Sequence, residues 1–294
     1  MIMLPPTEQI NSRTQHLDRL TPKQLARAFN SEDFNAARAV KKANKEIAAA
    51  IVLAAQTYAA NRKIIFIGAG TSGRLGILEA VECVPTFGTK PGQIIGLIAG
   101  GHKAVFRSQE GAEDDAKQGA RDIAAQAQKG DLVIGLTAGG RTPYVLGALE
   151  KAQKIGSQTV LLSCNAKADI SHAQIHIHLP TGAEALSGST RLKAGTATKM
   201  ALNAITTGAM TLCGKTYGNL MVDVQPTNKK LIARAVRLIG LIAHTDEKTA
   251  AKLLRDGGKS VKTAVVMHQK RVGQTQAKRL LKKKQGFLSR VLDE

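Results

Sequence analysis

Two glycine-rich loops carry the hydroxyl groups that this sequence could use to bind a ligand. Residues 68–73 (GAGTSG) follow an apolar run and open a helical stretch, and residues 137–143 (TAGGRTP) follow another apolar run. Backbone amides at the start of a helix attract anions, and neighbouring hydroxyls add hydrogen-bond donors. The loops therefore predict a site for one phosphate ester, because tight turns without a ligand would explain the glycines but not the hydroxyls. The candidate binding residues are Thr71, Ser72, Thr137, Gly139, Gly140, Arg141 and Thr142.

The first loop also satisfies the Gly-x-Gly-x-x-Gly pattern of dinucleotide-binding folds. That fingerprint needs an acidic residue roughly 20 residues further on to hold the ribose hydroxyls. No Asp or Glu occurs between Cys83 and Gln109, so NAD is not expected as a cofactor. NADP remains a minor alternative, because His102, Lys103 and Arg107 could meet a 2′-phosphate.

The elements that must position the loops are short β-branched runs without alternation. Such runs are typical of strands that are covered on both faces, and the 20 to 35 residues between them leave room for crossover helices. We therefore expect an α/β fold with a doubly wound parallel sheet, in which both loops lie at the carboxyl ends of strands and face one crevice. The predicted strands are residues 63–67, 94–99, 131–136, 159–163 and 175–179.

Helical patterns flank this body on both sides. Thr21, Pro22 and Gln24 have the types and spacing of a helix start. Ser31 and the two acids after it predict the start of a second helix, which runs to about residue 60. Further helices are expected at about 191–213, 228–243, 246–255, 259–270 and 274–284. The predicted domains are N-terminal helices over 1–60 that pack on the body, a ligand-binding α/β domain over 61–226, and a C-terminal helical region over 227–294.

Composition limits the class of protein. The chain carries a net charge of +20, of which residues 227–294 contribute +12, but few aromatic residues accompany the basic ones, so a solvated basic face is favoured and nucleic acid is not an expected partner. No apolar run reaches the roughly 18 residues that cross a bilayer, and the first residues lack a signal-peptide pattern. Three widely spaced cysteines fit neither a disulfide framework nor a zinc pattern, which favours the cytoplasm.

Other reactive side chains have weaker patterns. His172, His176 and His178 lie close together, but no cysteine or paired carboxylate accompanies them, and no metal site is expected. Residues 257–260 (GGKS) lack the first glycine and the preceding strand of a phosphate-binding P-loop. Glu184 and Lys193 flank a further Ser/Thr loop and could touch a ligand.

Five sequence blocks resemble the N-acetylmuramic acid 6-phosphate etherases in order and spacing. The blocks are residues 68–88, 110–115, 140–144, 188–197 and 218–224, and the resemblance runs from about residue 31 to the C-terminus. It implies a sugar isomerase (SIS) fold, a C-terminal region similar to ubiquitin-associated domains, and a cytoplasmic homodimer without metal or cofactor. The implied substrate is a phosphorylated amino sugar, whose lactyl ether is cleaved to N-acetylglucosamine 6-phosphate and D-lactate in cell-wall recycling.

The implied reaction requires two carboxyl groups. An alkyl ether leaves poorly, so the workable route opens the sugar to its aldehyde, removes the C2 proton, expels lactate from C3 and adds water, which needs a base and a proton donor. The resemblance assigns these roles to Glu82 and Glu113. From the residues alone, Glu82 could be a solvated helix residue, and Glu113 has the rivals Glu110, Asp114 and Asp115.

The chain departs from the family pattern at four positions. Gly139 replaces a Ser of the second loop, and Val81 and Val84 stand where the family tends to have Ser and Pro. We expect the valines to change packing around Glu82 and not its chemistry. Thr137 stands where the etherases often have Ala, so we expect its hydroxyl to replace the donor lost at Gly139.

A second class of function remains open. An SIS module could sense a sugar phosphate without converting it, and the basic C-terminal region could then bind nucleic acid or a partner protein. The presence of both Glu82 and Glu113 favours an enzyme, because a sensor would not require them.

Overall fold

The computed structural model describes residues 4–293, and these residues form two compact units. The first contains the chain up to Ala80 together with Gly92–Thr206, and the second contains Val81–Pro91 with the chain from Thr207 onwards. The division after Thr206 lies within a helix, whereas the sequence-based division lies after residue 226.

A five-stranded parallel sheet forms the centre of the first unit. Its strand order is β2-β1-β3-β4-β5, and every strand lies within one residue of its predicted bounds. All residues of β1 and β3 are buried, as expected for strands covered on both faces. The prediction of a doubly wound parallel sheet is therefore confirmed. The strands are β1 (Ile64–Gly68), β2 (Ile94–Ile98), β3 (Leu132–Thr137), β4 (Gln158–Ser163) and β5 (Ile175–His178).

Helices cover the sheet because its side chains alternate between two apolar faces. Ile65 and Ile67 belong to a buried cluster with residues of α5 and α6. Ile64 and Phe66 are equally buried and point to the opposite face, and α2 contacts β1, β3 and β5. The helices that begin in this unit are α1 (Pro22–Lys42), α2 (Asn44–Ala59), α3 (Gly70–Phe87), α4 (His102–Phe106), α5 (Ala116–Gln126), α6 (Pro143–Ile155) and α7 (Lys193–Leu212).

Helices α5 and α6 cross at very short range. A Cβ atom at Gly119 would lie 1.9 Å from the carbonyl oxygen of Tyr144, and one at Gly147 would lie 2.2 Å from that of Ala116, so neither position accepts a side chain. The Tyr144 hydroxyl donates to Asp122 at 2.6 Å. Burial raises the pKa of Tyr144 far above its ordinary value, and the hydrogen bond to Asp122 adds to this effect. The two helices are thereby locked together.

Of the two predicted N-terminal helix starts, one is confirmed and the other is wrong. Thr21 and Gln24 form a capping box at the start of α1, which confirms the first helix start. The predicted second start at Ser31 is wrong, because α1 continues through it to Lys42 and breaks only at Ala43. After Pro22 the helix contains no glycine or proline, so helix propagation overrides the local capping signal.

Glu32, the acid directly after Ser31, forms a buried ion pair and does not cap a helix. Glu32 is 2% exposed, lies 2.5 Å from the buried Lys193 ammonium group, and accepts hydrogen bonds from Arg13 at 2.5 Å and Asn11 at 2.8 Å. Burial alone would raise its pKa, but these hydrogen bonds outweigh burial and hold the pKa of Glu32 at about 2. Glu184 caps α7 by accepting from the Lys193 and Ala194 amides. The predicted contact of Glu184 and Lys193 with a ligand thus has a competing structural explanation.

The second unit is a helical bundle with its own core. Apolar residues of α8, α9, α10 and α11, among them Ile239, Leu254 and Val265, pack in one cluster. The Lys262 ammonium group pairs with Asp223 at 2.7 Å; burial lowers the pKa of Lys262, which the nearby carboxylate opposes. The predicted helices are confirmed, whereas the similarity to ubiquitin-associated domains stays a prediction. The helices are α8 (Lys229–Ala243), α9 (Glu247–Asp256), α10 (Val261–Lys270), α11 (Gln274–Lys283) and the unpredicted α12 (Leu288–Leu292).

None of the helices between residues 4 and 293 is both long enough and apolar enough to cross a membrane.

Replacing Glu32 by Gln should lower the free energy of unfolding at pH 7 by about 3 kcal/mol, because the Lys193 ammonium group would remain buried without its charge partner. The pKa of Glu32 is lower in the folded chain than its ordinary 4.5, so its stabilisation is complete above that value and is lost as the pH falls towards 2. Thermal unfolding midpoints of the wild type and Glu32→Gln should therefore converge over this range. Asp33→Asn, an exposed neighbour, is the control, and a difference that does not change with pH would contradict the assignment.

Candidate functional site

A cavity of about 350 Å³ opens at the carboxyl ends of β1 and β3. The strand order places the change of winding direction between these two strands, which is where open α/β sheets bind ligands. Gly68 pairs with Leu136, so the loops that follow the two strands lie side by side. The predicted meeting of the two glycine-rich loops is present. The predicted residues that line the cavity are Thr71, Ser72, Glu113, Thr137, Gly139 and Thr142.

The first loop turns from β1 into α3 with almost no spare room. A Cβ atom at Gly73 would lie 2.7 Å from the Gly68 carbonyl oxygen, and Gly70 has a φ of +52°. This tight turn places Thr71 and Ser72 in the first turn of α3, with both side chains half-buried at the cavity. The start of the helix supplies a partial positive charge and free amides to the same space.

The second loop holds two hydroxyl groups against each other. The Oγ1 atoms of Thr137 and Thr142 are 2.7 Å apart, and the Gly140 amide donates to Thr137 Oγ1 at 3.2 Å. Only one of the two hydroxyl protons can lie between the oxygens, so the other remains available to a ligand. The Gly140 amide, which we expected to face the ligand, is engaged inside the loop, and Gly140 does not line the cavity.

Gly139 leaves open space where a side chain could stand. A Cβ atom there would meet nothing within 4 Å, and its φ lies outside the left-handed region. Its carbonyl accepts from the Asn165 side chain at 3.0 Å, which fixes the loop from behind. The position could therefore carry the Ser that the family pattern has, directed at the same cavity.

Glu113 is the acidic residue of its segment that reaches the cavity. It lies in a short 3₁₀ turn, Ala112–Asp114, which follows Gly111 in the left-handed conformation, and its side chain is exposed. Its rivals have other surroundings: Glu110 accepts from Ser108, and Asp115 caps α5 by accepting from the Gln118 amide at 2.8 Å. Neither they nor Asp114 line this cavity. The geometry therefore favours Glu113 among the four acids.

Besides Gly140, two predicted residues are not brought to the cavity. Arg141 is exposed. Hydrogen bonds from Ser171 lower the pKa of Asp169, and the charge of Arg141 adds to this effect. Glu82 is exposed in α3, three helical turns after Ser72, and belongs to the second compact unit. Their roles stay predictions from the sequence.

The N-terminal segment and a late loop contribute residues that sequence reasoning missed. Thr7 and Glu8 line the cavity together with Gly188 and Thr190. The Gly188 amide donates to the Thr7 carbonyl at 3.0 Å, and the Ser187 hydroxyl donates to the Glu8 carbonyl at 2.9 Å. The block at 188–197 was a usable signal for the loop. No local pattern pointed to Glu8, whose carboxylate joins that of Glu113 in the cavity wall.

The remaining reactive side chains take part in packing. His176 bonds to the Ser163 hydroxyl at 2.8 Å and stacks on His178, and burial lowers the pKa of both rings. Burial also raises the pKa of the Cys164 thiol to about 12, which leaves it a poor nucleophile. Among residues 4–293, no group of His, Cys, Asp and Glu side chains has an arrangement that could hold a metal ion.

Removing the Thr137 hydroxyl should weaken phosphate binding roughly tenfold, because a hydrogen bond to a charged group is typically worth about 1.5–3 kcal/mol. Adding Gly139→Ser should restore the affinity, since the new hydroxyl enters open space in the same cavity. Phosphate titrations of Thr137→Val and of the double variant, followed through the NMR signals of the Gly70 and Ser72 amides, measure both effects.

Thr159→Val is the matched control for this experiment, because it removes another buried strand hydroxyl of the same sheet away from the cavity. Wild-type phosphate affinity in Thr137→Val would show that Thr137 merely ends its strand.

Comparison with known proteins identifies related domains and related full-length sequences. Residues 46–153 match the glucokinase regulatory protein N-terminal SIS domain, and residues 112–208 match the SIS domain. Proteins named N-acetylmuramic acid 6-phosphate etherase from Oenococcus oeni and Listeria welshimeri are 46% and 47% identical over 290 residues, which is 98% of this chain and 98% of each relative. A relative of the same name from Thermosynechococcus vestitus is 49% identical over 268 residues, covering 89% of this chain and 86% of the relative.

Among solved structures, a phosphoheptose isomerase from Francisella tularensis is similar with a TM-score of 0.49 and 13% identity, covering 65% of this chain and all of that one. The curated relatives decide the family, because their identity extends over nearly the whole length of both chains. The chain belongs to the N-acetylmuramic acid 6-phosphate etherase family, and its five-stranded sheet is that of an SIS domain.

Proposed function

We propose that this chain cleaves the lactyl ether of N-acetylmuramic acid 6-phosphate, giving N-acetylglucosamine 6-phosphate and D-lactate in the recycling of cell-wall sugars. The observation that carries the proposal is a single cavity that combines hydroxyl groups at a helix start with the Glu113 carboxylate. The hydroxyl groups are suited to binding a phosphate ester, and the carboxylate is suited to proton transfer. Membership of the etherase family supports the choice of substrate.

The phosphate group anchors the sugar in the two loops. Thr71 and Ser72 offer hydroxyls beside the start of α3, and the Thr137–Thr142 pair offers one free hydroxyl proton. These donors are fixed by tight backbone turns before the ligand arrives, so little conformational entropy is lost when the ligand binds. A sugar held by its phosphate then presents the carbons near its other end to the cavity wall.

The reaction needs proton transfers and no redox step. In the open-chain sugar the aldehyde at C1 acidifies the C2 proton; a base removes it, the C3–O bond breaks with its electron pair leaving on the lactate oxygen, and a proton neutralises that oxygen. Water then adds across the C2–C3 double bond, placing a hydroxyl on C3 and a proton on C2. One carboxylate and one carboxylic acid can perform these steps, which contribute typically about 10²–10⁴-fold each.

Glu113 and Glu82 are the two proposed acid–base residues. The position of Glu113 in the cavity wall supports its role. Glu113 can act without a metal or cofactor, because removing the C2 proton and protonating the lactate oxygen are both proton transfers. The role of Glu82 rests on the family resemblance alone. The same resemblance supports a cytoplasmic homodimer.

Glu113→Gln should reduce kcat for lactate release by about 10²–10⁴-fold, since the amide can neither accept nor donate the required proton. KM should change little, because the phosphate loops are untouched. Asp114→Asn is the control: it removes a neighbouring exposed carboxylate from the same turn and should retain activity. An enzymatic assay of D-lactate measures both variants, and full activity of Glu113→Gln would transfer the role to another acid.

The same assay separates the enzyme from the alternative sensor. If the purified wild-type chain binds N-acetylmuramic acid 6-phosphate but releases no lactate, the regulatory interpretation is favoured. Loss of lactate release on chelation and its recovery with zinc would contradict the proposed metal-free chemistry.

A further inference from the structure

A second cavity, of about 390 Å³, lies beside α1 and the N-terminal segment. Its wall is formed by residues 10–13, by one side of α1, by residues 180–183 and by Lys193. It has no lining residue in common with the cavity between the two glycine-rich loops. The proposed function gives it no role.

Positive charge dominates this second cavity. Arg13, Arg38, Lys42 and Lys193 line it, and no Asp or Glu is among its lining residues. Glu32, which pairs with Arg13 and Lys193, is buried behind them and balances one of the four charges. The cavity therefore keeps an excess of positive charge around its space, in which an anion would find partners on several sides.

Arg38 and Lys42 of α1 line the cavity, whereas the other basic residues of the helix lie outside its lining. Asn35, Arg38, Ala39 and Lys42 follow one another at helical spacing and share one face. Like charges four residues apart repel each other, and within residues 4–293 neither Arg38 nor Lys42 makes an ion pair that would relieve this. Arg38 instead donates to the Asn35 side chain at 3.1 Å, which holds its guanidinium group along the same face.

The other walls supply groups suited to the same kind of ligand. Ser12 is exposed at the cavity and adds a hydroxyl group to its wall. Arginine can form bidentate hydrogen bonds with the oxygens of a phosphate group, and lysine adds a compact charge. The volume lies within the range of small-ligand pockets, so it admits a phosphate ester of sugar size as well as free phosphate.

We propose that this basic pocket is a second anion site, which binds a small molecule through a phosphate group independently of the etherase site. A dianion is favoured over a lone carboxylate because at least three cationic groups surround the space. The site is separate from catalysis, so its test does not depend on turnover.

The test compares two double variants of α1 that remove the same charge. Arg38→Gln with Lys42→Gln strips the pocket, and Lys23→Gln with Arg27→Gln removes an exposed Lys and Arg at the same spacing away from it. Inorganic phosphate is titrated into each full-length protein at constant ionic strength, and the NMR signals of the Gly182 and Ala183 amides report on the pocket.

The wild type and the Lys23/Arg27 variant should show saturable shifts with the same dissociation constant. In the Arg38/Lys42 variant that constant should rise at least roughly tenfold, as expected for the loss of charged hydrogen bonds, while the Ser72 amide in the other cavity still responds. Equal weakening in both variants would show that general surface charge attracts the anion, and the absence of saturable shifts in the wild type would show that no site exists; either result overturns the proposal.

A second titration with glucose 6-phosphate identifies the source of the phosphate group. Tighter binding of the sugar phosphate at Gly182 and Ala183 points to a phosphorylated metabolite, and equal or weaker binding points to free phosphate. In both cases the Arg38/Lys42 variant must lose the response for the pocket to be the site.

Discussion

The parallel pairing of β1 with β3 is the interaction on which the etherase site depends. Because Gly68 pairs with Leu136, the chain leaves both strands at the same edge and at the same height. The turn at Gly70 and Gly73 then starts α3 immediately, and the second loop closes through the Thr137–Thr142 hydroxyl pair. Neither loop makes a cradle alone. The sheet register, set by buried aliphatic side chains, brings the hydroxyl groups of both loops to one cavity.

A second constraint on the N-terminal segment beside the cavity comes from a buried ion pair outside the sheet. Glu32 joins α1 to the start of α7 through Lys193 and holds the N-terminal segment through Arg13 and Asn11. That segment continues back to Thr7, which bonds to the loop at Gly188. A buried ion pair of this kind adds little net stability compared with apolar packing, but it defines one arrangement strictly, because any misplacement leaves a charge unpaired. The same segment borders both cavities, so the ion pair shapes two sites at once.

The sequence predicted the parts of the molecule whose signals are local. All five strands and the capping box at Thr21 follow from patterns within a few residues. The start at Ser31 failed because α1 continues through it without a break. The pairing of Glu32 with Lys193, 161 residues away, is information that no capping rule contains. The cavity residues Thr7 and Glu8 were missed for the same reason, since only the folded chain shows that their segment lies against the loop at Gly188. Of the phosphate donors, the hydroxyls were recognisable, whereas the engagement of the Gly140 amide depends on a side chain three residues earlier.

The two cavities contrast in the way they could hold a phosphate group. The basic pocket offers arginine and lysine, whereas the lining of the cavity between the two glycine-rich loops contains neither and offers hydroxyls and the start of α3. A cation at a phosphate site favours the ionised form of any carboxyl group beside it. Elimination followed by hydration needs carboxyl groups that take up and release protons in turn, and no Arg or Lys lines the cavity beside Glu113. Strong anion attraction and reversible proton transfer are thus better served by separate cavities, and the predicted compensation of Gly139 by the Thr137 hydroxyl would add no charge.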